Sequence, residues 1–356
     1  MRSMEKLKIG VIGVGNISNC HIQAYKKNPH VELYAFCDIN EQRLKEKGEA
    51  HGVTRLYTDK DQMLAELPEL DAVSVCTWNS AHAPCAIAAL NAGKHVLVEK
   101  PMATNAEEAR AMQEAAERNG KLLMVGFVRR YGNDAKILKD FISNDFFGDM
   151  YYAKATYLRR NGNPGGWFGD KSRSAGGPLI DLGVHVIDLV RYLMGNPKAV
   201  SVYGATFQKL FNRPNIKTGG GWVSADKAQQ DICDVEDLAT AMIRFDNGAV
   251  LSVEASFSLN IKKDEGTIQL FGTKAGAKLD PDLEMYNDIN GYLANVQLDA
   301  PTALSFDGLF DNEVNHYIDC ILNGTDCVSP AQDGVELMRI LDAIYRSAET
   351  GHEVIL

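Results

Sequence analysis

The chain has 356 residues, of which 45% are hydrophobic and 24% are charged, and its formal net charge is -10 at pH 7. This composition is typical of a soluble globular protein of about two domains, and the acidic balance argues against a nucleic-acid or anionic-membrane surface, since both need basic patches. No apolar run approaches the roughly 20 residues of a membrane-spanning helix. The seven cysteines, an odd number without a C-x-x-C pair, predict reduced thiols and a cytoplasmic protein.

Short apolar runs alternate with amphipathic stretches through the first third of the chain. This alternation predicts a parallel, doubly wound sheet, and we place this α/β domain at residues 1–127. The expected strands are Leu7–Ile12, Val31–Phe36, Ala72–Cys76, His95–Val98 and Leu122–Val125, and the expected helices are Ile17–Lys27, Glu41–Ala50, Pro84–Asn91 and Ala106–Arg118.

Residues 128–356 have a different pattern, with alternating segments punctuated by turns, and predict an α+β domain with a mainly antiparallel sheet. The turn Asp246-Asn247-Gly248 indicates a hairpin. The polar, glycine-rich segment 212–231 predicts a long loop, and the last helix is expected to pack back on the first domain. The expected strands are Tyr151–Tyr157, Ala199–Thr206, Leu238–Phe245, Ala249–Ser256 and Gly266–Phe271, and the expected helices are Asp134–Phe141, Pro178–Met194, Glu313–Leu322 and Gly334–Ala348.

A glycine turn follows the first expected strand and opens the first helix. Gly13 and Gly15 allow a tight turn and the close approach of a pyrophosphate, and Asn16 and Ile17 lead into a helix whose free N–H groups favour anions. Ser18 stands where this fingerprint usually has a third Gly or an Ala, a mild departure because the position needs only a small residue. The motif predicts dinucleotide binding; the alternative is a glycine turn that binds nothing.

An acidic residue, Asp38, ends the second expected strand, where it can accept hydrogen bonds from the adenosine ribose hydroxyls. Its charge would repel a 2′-phosphate. No basic residue follows immediately to bind that phosphate, and Arg43 lies one turn into the next helix. NAD is therefore favoured over NADP. The alternative is that Asp38 only caps the helix.

Lys100 comes directly after the strand His95–Val98, at the carboxyl end where open α/β sheets bind ligands. Pro101 excludes helix at Lys100, so the amine is held on a stiff turn beside the nucleotide site and is a candidate proton carrier. The alternative is a surface salt bridge between Glu99 and Lys100.

The expected helix Pro178–Met194 is apolar on nearly every face, and Asp181, His185 and Asp188 form a polar stripe along it. The first two are four residues apart and stack on one side of a helix. An aspartate that orients a histidine is what a general base requires, and the alternative is a core pair that satisfies itself. No metal site is expected, because two ligands on one helix lack a nearby third.

These motifs occur together with others along the chain, and their order is specific. The chain resembles, over essentially its whole length, the Gfo/Idh/MocA family of sugar and cyclitol oxidoreductases. The motifs that carry the resemblance are the first glycine turn, Cys76-Thr77-Trp78-Asn79 with His82, Glu99-Lys100-Pro101, Val125-Gly126-Phe127-Val128-Arg129-Arg130-Tyr131, and Gly176-Gly177-Pro178-Leu179-Ile180-Asp181 with Gly183 and His185.

The resemblance implies a Rossmann domain and a larger domain with an open-faced sheet, a face that commonly forms a subunit interface in homo-oligomers of the family. It implies that Lys100, Asp181 and His185 form the catalytic set, that Glu99 lies near the nicotinamide ribose, and that the Lys100–Pro101 peptide is cis. Trp78 departs from the proline that the family often has there. The remaining cofactor contacts that it implies are Thr77, Trp78, Asn79, His82 and Arg129. For His82 the alternative is a helix-start residue without a ligand.

The expected chemistry is the oxidation of a secondary alcohol. His185, oriented by Asp181, accepts the hydroxyl proton, and Lys100 donates a hydrogen bond to the same oxygen, or the two exchange roles. Polar groups with an aromatic platform suit a sugar ring, although Trp167 would equally serve as a hydrophobic anchor for its loop. The candidate substrate contacts, besides the catalytic set, are Arg129, Tyr131, Asn161, Asn163 and Trp167.

The sequence is thus interpreted as an NAD-dependent dehydrogenase acting on a secondary hydroxyl of a sugar, a glycoside (with C3 of the glycosyl ring as one option) or a cyclitol. Three alternatives are kept. They are an inositol 2-dehydrogenase, a glycoside hydrolase that uses NAD in a redox cycle, and a cofactor-sensing regulator without catalysis on the same fold.

Overall fold

The computed structural model describes residues 6–210, 213, 216, 223–224 and 232–356. The loop predicted at 212–231 therefore lies almost wholly outside the described residues. The chain divides into two compact units: the first extends to Val128 and also takes in Asp307–Val335, and the second comprises Arg129–Phe306 and Glu336–Leu356. The expected division assigns Asp307–Val335 to the second domain, whereas these residues belong to the first unit.

In chain order the strands are β1 (Leu7–Ile12), β2 (Val31–Cys37), β3 (Arg55–Tyr57), β4 (Ala72–Val75), β5 (His95–Glu99), β6 (Leu123–Gly126), β7 (Met150–Leu158), β8 (Ala199–Phe207), β9 (Leu238–Phe245), β10 (Val250–Ser256), β11 (Glu265–Gly272), β12 (Ala275–Leu279), β13 (Glu284–Ile289), β14 (Tyr292–Val296) and β15 (Val354–Ile355). The α-helices are α1 (Ser18–Lys27), α2 (Glu41–His51), α3 (Lys60–Glu66), α4 (His82–Asn91), α5 (Ala106–Asn119), α6 (Asn133–Ser143), α7 (Lys171–Ser174), α8 (Val184–Leu193), α9 (Leu309–Asn323) and α10 (Ala331–Thr350). Within the described residues, none of these helices combines the length and apolarity that crossing a bilayer requires.

The first sheet has six parallel strands in the order β3-β2-β1-β4-β5-β6. This is the strand order of a Rossmann domain, and it confirms the expected doubly wound sheet. Strand β4 is buried throughout, as is typical of a central strand that is covered on both faces. The order reverses between β1 and β4, so the crevice for a ligand opens at the carboxyl ends of these strands.

The second sheet has nine strands in the order β14-β13-β12-β11-β7-β10-β9-β8-β15. The β7–β10 pair is parallel and the other pairs are antiparallel, which confirms the mainly antiparallel prediction. One face is apolar and buried, with Ile243 and Leu251 among its residues, and α8 packs on the sheet at β7 and β11. Gly248 has φ +86°, as the predicted hairpin turn requires.

Candidate active site

The glycine turn lies in the first unit between β1 and α1. Gly13 has φ +86°, and a Cβ there would lie 2.8 Å from the backbone of Cys76, so the turn requires glycine. A Cβ on Gly15 would meet no atom within 4 Å, which leaves this backbone open for a ligand to approach. Ser18 is buried and donates its hydroxyl proton to the Gly15 carbonyl at 2.7 Å, so the third position does need a small residue.

Helix α1 begins without the groups that would neutralise its N-terminus. No side chain caps it, and its first turn contains no acidic residue. The unsatisfied N–H groups and the helix dipole therefore favour an anion such as a pyrophosphate. Together with the open backbone at Gly15, this fits a dinucleotide.

Asp38 is held by the backbone on both sides. Its two carboxylate oxygens accept the N–H groups of Val14 and Asn40, each at 2.8 Å, so the carboxylate is fixed at the edge of the glycine turn. The Arg43 guanidinium lies 3.8 Å away on α2. A fixed carboxylate at this position suits the ribose hydroxyls of NAD and opposes a 2′-phosphate.

Glu99 ends β5 and is almost completely buried. One carboxylate oxygen pairs with His21 Nε2 at 2.8 Å, and the other accepts the Lys100 N–H at 3.1 Å. Burial opposes the charge on Glu99, but the hydrogen bond and charge of His21 outweigh it and lower its pKa. The Glu99 carboxylate therefore pairs with His21, and Lys100, which is partly exposed, follows on the cis Lys100–Pro101 peptide that the resemblance implied.

His82 is expected among the cofactor contacts, but its side chain is 0% exposed. Its Nδ1 lies 2.7 Å from the Pro101 carbonyl oxygen and its Nε2 lies 3.2 Å from that of Thr77. Burial lowers the pKa of His82, and a neutral ring can donate a hydrogen bond to only one of these two carbonyl oxygens at a time. In this conformation His82 contacts the turns after β4 and β5, and its contact with the cofactor stays a prediction. Thr77, Trp78 and Asn79 begin the turn after β4, and their cofactor contacts stay a prediction.

A buried polar network leads from Glu99 through His21 to Ser74 and Tyr25, and nothing in the sequence pattern predicted it. The Ser74 hydroxyl lies 2.7 Å from Tyr25 Oη and 3.3 Å from His21 Nδ1. Glu313 on α9 is fully buried, and neither of its carboxylate oxygens has a hydrogen-bond partner among the described residues. Burial and the neighbouring charge of Glu99 raise the pKa of Glu313 to about 8.

The second unit holds Asp181 and His185 on a helix that begins irregularly. Residues Leu179–Gly183 form a π turn, and the α-helix α8 starts only at Val184. The helix expected over 178–194 is therefore present, but its start is π-helical, and the spacing that stacks residues four apart in an α-helix does not apply across the π turn. From Gly176 to Val190 every residue is buried except Asp181 and His185, which are partly exposed. These two residues thus give an otherwise buried segment its polar, accessible side.

Glu236 fixes the start of this segment, although nothing in the sequence pointed to it. Its carboxylate accepts the N–H groups of Gly177 and Leu179 at 3.0 and 3.1 Å and the Tyr345 hydroxyl at 2.9 Å. Burial raises the pKa of Glu236, and these hydrogen bonds oppose the rise. A Cβ at Gly176 would lie 2.0 Å from Tyr345 Oη, and one at Gly177 would lie 2.2 Å from the Glu236 carbonyl oxygen, which explains both glycines.

Asp188, expected on the same polar stripe, has a different role. Its carboxylate forms a buried two-point pair with Arg130, with nitrogen–oxygen distances of 3.0 and 2.6 Å. Planar pairing of this kind anchors α8 to the turn Val128–Tyr131. Asp188 is therefore structural and is not part of the accessible pair.

Arg129 and Tyr131 flank that anchor and are partly exposed. The Arg129 guanidinium pairs with Asp280 at 3.1 Å and with Asp134 at 3.3 Å. Both carboxylates lie in the second unit, so Arg129 is already neutralised there. Its predicted contacts with cofactor and substrate stay predictions.

The glycine-rich loop before the segment that carries Asp181 and His185 is held by contacts within the loop and with Ser258. Asn163 Oδ1 accepts the Gly165 N–H at 2.9 Å, and Asn161 forms a β-bridge with Ser258. Trp167 stacks on Phe168 with the ring centroids 3.9 Å apart and remains partly exposed. An exposed aromatic face on a defined loop is the kind of platform on which a sugar ring stacks. Substrate contact by Asn161, Asn163 and Trp167 stays a prediction.

The chain matches the two domain models of one protein family. Residues 7–127 match the Gfo/Idh/MocA model described as an oxidoreductase family with an NAD-binding Rossmann fold, and residues 136–278 match the C-terminal domain of that family. The two matches fall on the two sheets described above.

Similar proteins include named dehydrogenases. D-glucoside 3-dehydrogenase of Escherichia coli strain K12 is 33% identical over 351 residues, which cover 98% of this chain and 97% of that protein. Myo-inositol 2-dehydrogenase of Thermotoga maritima is 31% identical over 268 residues, or 75% of this chain and 73% of the relative. A solved structure of levoglucosan dehydrogenase in complex with NADH has a TM-score of 0.85 and 26% identity, and the match covers 99% of both chains.

Proposed function

The chain belongs to the Gfo/Idh/MocA family of NAD-binding oxidoreductases, and from this premise we propose that it oxidises a secondary hydroxyl of a glycoside, with C3 of the glucosyl ring as the first candidate. Its named relatives act as dehydrogenases on sugars or cyclitols. The relative named for glucosides aligns over nearly the whole chain, whereas the relative named for myo-inositol aligns over three quarters of it. Glycosides are therefore preferred over inositols.

One observation carries this proposal: Asp181 and His185 are the two partly exposed positions in a segment that is otherwise buried from Gly176 to Val190. Burying polar groups costs free energy. Two accessible polar residues in an otherwise buried segment therefore indicate a function that needs them accessible. An accessible imidazole in the same segment as an accessible carboxylate supports a role as proton acceptor.

We assign the proton chemistry to Lys100, Asp181 and His185. Bound NAD supplies the hydride acceptor. His185 takes the proton from the substrate hydroxyl and Asp181 orients its ring, while Lys100 donates a hydrogen bond to the oxygen that becomes negative. Lys100 and His185 can exchange these roles, and a pH profile of each single variant distinguishes the two assignments.

The hydrolase and regulator alternatives are not favoured, because the similar proteins with assigned names are dehydrogenases. A hydrolase that cycles its cofactor would release sugar without net NADH. A regulator would bind NAD without turning over any of these compounds.

The direct test is a panel of methyl glucosides, free sugars and inositols with NAD⁺, scored by NADH absorbance and by mass spectrometry of the product. The proposal expects NADH in equimolar amount with a keto-glycoside two mass units lighter than the substrate. Turnover of inositols alone would show that the substrate is a cyclitol and not a glycoside. Cleavage of the glycoside without net NADH would overturn the proposal.

We further propose that the chain forms a homo-oligomer through the outer face of its second sheet and works in the cytoplasm. Tyr203 and Met242 are register neighbours on that face, and more than half of each side chain is exposed. All seven cysteines are free thiols, which is typical of a reducing compartment.

A further inference from the structure

A cluster of sulfur and nitrogen donors lies at the end of α9, apart from the residues assigned to catalysis. His316 and Cys320 are one helical turn apart, and Cys327 follows in the segment after the helix. One potential ligand atom from each residue lies within 4.8 Å of the other two. Cys320 is buried, whereas His316 and Cys327 are partly exposed, so the cluster is reachable from solvent.

The spacing of these donors fits a tetrahedral ion. Cys320 Sγ lies 3.4 Å from His316 Nε2. In a tetrahedral zinc site, with Zn–S of about 2.3 Å and Zn–N of about 2.0 Å, neighbouring sulfur and nitrogen ligands lie about 3.5 Å apart. Two sulfurs and one imidazole within this radius therefore need little movement to share one ion.

The imidazole is held in a suitable tautomer. The Val328 N–H donates a hydrogen bond to His316 Nε2 at 2.9 Å, so Nε2 carries the lone pair that a metal would use. An incoming ion has to replace this hydrogen bond. The segment that carries Val328 also carries Cys327, so one small shift of this segment would release the nitrogen and bring the second thiolate to the ion.

We propose that His316, Cys320 and Cys327 form a binding site for a thiophilic divalent metal ion, Zn²⁺ in the first instance, with a water molecule as the fourth ligand. Two thiolates and one imidazole match the preference of zinc for sulfur and nitrogen ligands. Three protein ligands with a solvent-facing fourth position describe an exchangeable site and not a closed structural one. The spacing H-x3-C-x6-C had not indicated a metal in the sequence analysis, because the two cysteines fall on different sides of the helix end.

The test is a titration of the full-length, chelator-treated and reduced protein with Co²⁺, which reports sulfur ligation by thiolate-to-metal charge-transfer absorption. We expect about one Co²⁺ per chain, displaced stoichiometrically by Zn²⁺. Cys327→Ser and His316→Gln each change a partly exposed ligand. Each should weaken binding by more than about tenfold, because losing even a group that only holds a ligand in place weakens metal binding by that much. Cys85→Ser, which removes a buried thiol elsewhere in the first unit, is the matched control and should bind as the wild type does.

Circular dichroism of each variant verifies that it is folded. Absence of charge-transfer absorption in the wild type, or equal binding by Cys327→Ser, would overturn the proposal. A loss of two titratable thiols on exposure to hydrogen peroxide, without any metal binding, would instead identify Cys320 and Cys327 as a disulfide-forming pair and would also overturn it.

Discussion

Glu313 is a buried acid that the structure leaves without a hydrogen-bond partner among the described residues, close enough to Glu99 for the charge of that carboxylate to act on it. Its pKa of about 8 means that the folded protein retains a proton that the unfolded chain loses near the ordinary value of 4.5. A raised folded-state pKa gives stability that is fully present below the unfolded pKa and is lost as the pH rises through the folded one. Glu313 therefore destabilises the fold progressively between these two values.

Replacing Glu313 by glutamine should remove this dependence. We expect the free energy of unfolding of the wild type to fall more steeply than that of Glu313→Gln between about pH 5 and about pH 8, by at most about 1.4 kcal/mol per pH unit. Urea unfolding across this range measures the difference. Glu349→Gln, at an exposed position on α10, should follow the wild type; parallel pH profiles for Glu313→Gln and the wild type would refute the raised pKa.

At the residue scale, we expect Asp38 to decide the cofactor preference, because it is a fixed carboxylate where the adenosine ribose is predicted to bind. Asp38→Asn removes its charge and frees Arg43 to meet a 2′-phosphate. The ratio of kcat/KM for NAD⁺ to that for NADP⁺ should fall about tenfold or more, equivalent to about 1.4 kcal/mol. Steady-state kinetics with both cofactors measure the ratio. Glu41→Gln, on the helix α2 that also carries Arg43, is the control. An unchanged ratio would mean that Asp38 only caps the turn.

At the scale of elements, the π turn Leu179–Gly183 depends on a carboxylate from a distant part of the chain. Glu236→Gln replaces one acceptor oxygen by an amide that cannot accept an N–H, which should cost about 1–3 kcal/mol of stability. Tyr345→Phe removes only one of the donors and should cost about 1 kcal/mol. The Glu236 variant should also lose kcat, because the segment that carries Asp181 and His185 is no longer held.

The affinity for NAD separates this effect from general damage. The glycine turn lies in the first unit and Glu236 lies in the second, so the Kd for NADH should be unchanged in a folded Glu236→Gln protein. Calorimetry measures the stability of the two variants, fluorescence titration measures their Kd for NADH, and steady-state kinetics measure their kcat. Wild-type kcat and stability in Glu236→Gln would show that Glu236 does not support this segment.

Several elements were predictable because local pattern dictates them. The strands β1 and β9 and the turn at Gly248 follow from apolar runs, alternation and turn chemistry within a few residues. Strand β3 has only three residues, and β14 is largely exposed although most of its residues are apolar, so neither shows the apolar–polar alternation of a half-buried strand. Both were missed for that reason.

The candidate site divides in the same way. Gly13, Asp38 and Lys100 could be predicted as candidate site residues because motif and strand end coincide in sequence. The partnerships of Glu236 with Gly177, and of His21 with Glu99, join residues that are 59 and 78 positions apart, and only the fold creates them. The π turn was missed because hydrophobicity cannot distinguish its hydrogen bonding from that of an α-helix.

At the scale of the whole molecule, we expect copies of the chain to associate through the outer face of the second sheet. In register across the strands it presents Tyr203, Met242, Ser252 and Lys154, which mix apolar and polar side chains. Substituting both Tyr203 and Met242 by glutamate places like charges where copies would meet, so the oligomer should dissociate. Light scattering coupled to size exclusion measures the molar mass; Leu322→Glu, an exposed apolar residue on α9, is the control. An unchanged mass in the double variant would reject this face as the interface.

Turnover and cofactor affinity, measured together in Lys100→Met, test whether Lys100 serves the chemistry or only the fold. If this chain is an NAD-dependent dehydrogenase in which Lys100 serves the substrate hydroxyl, kcat with its best glycoside should fall by about 10²–10⁴-fold, while the Kd for NADH stays near that of the wild type. Lys121→Met, at a partly exposed lysine after α5, should retain full turnover. Turnover by Lys100→Met close to that of the wild type would contradict the account.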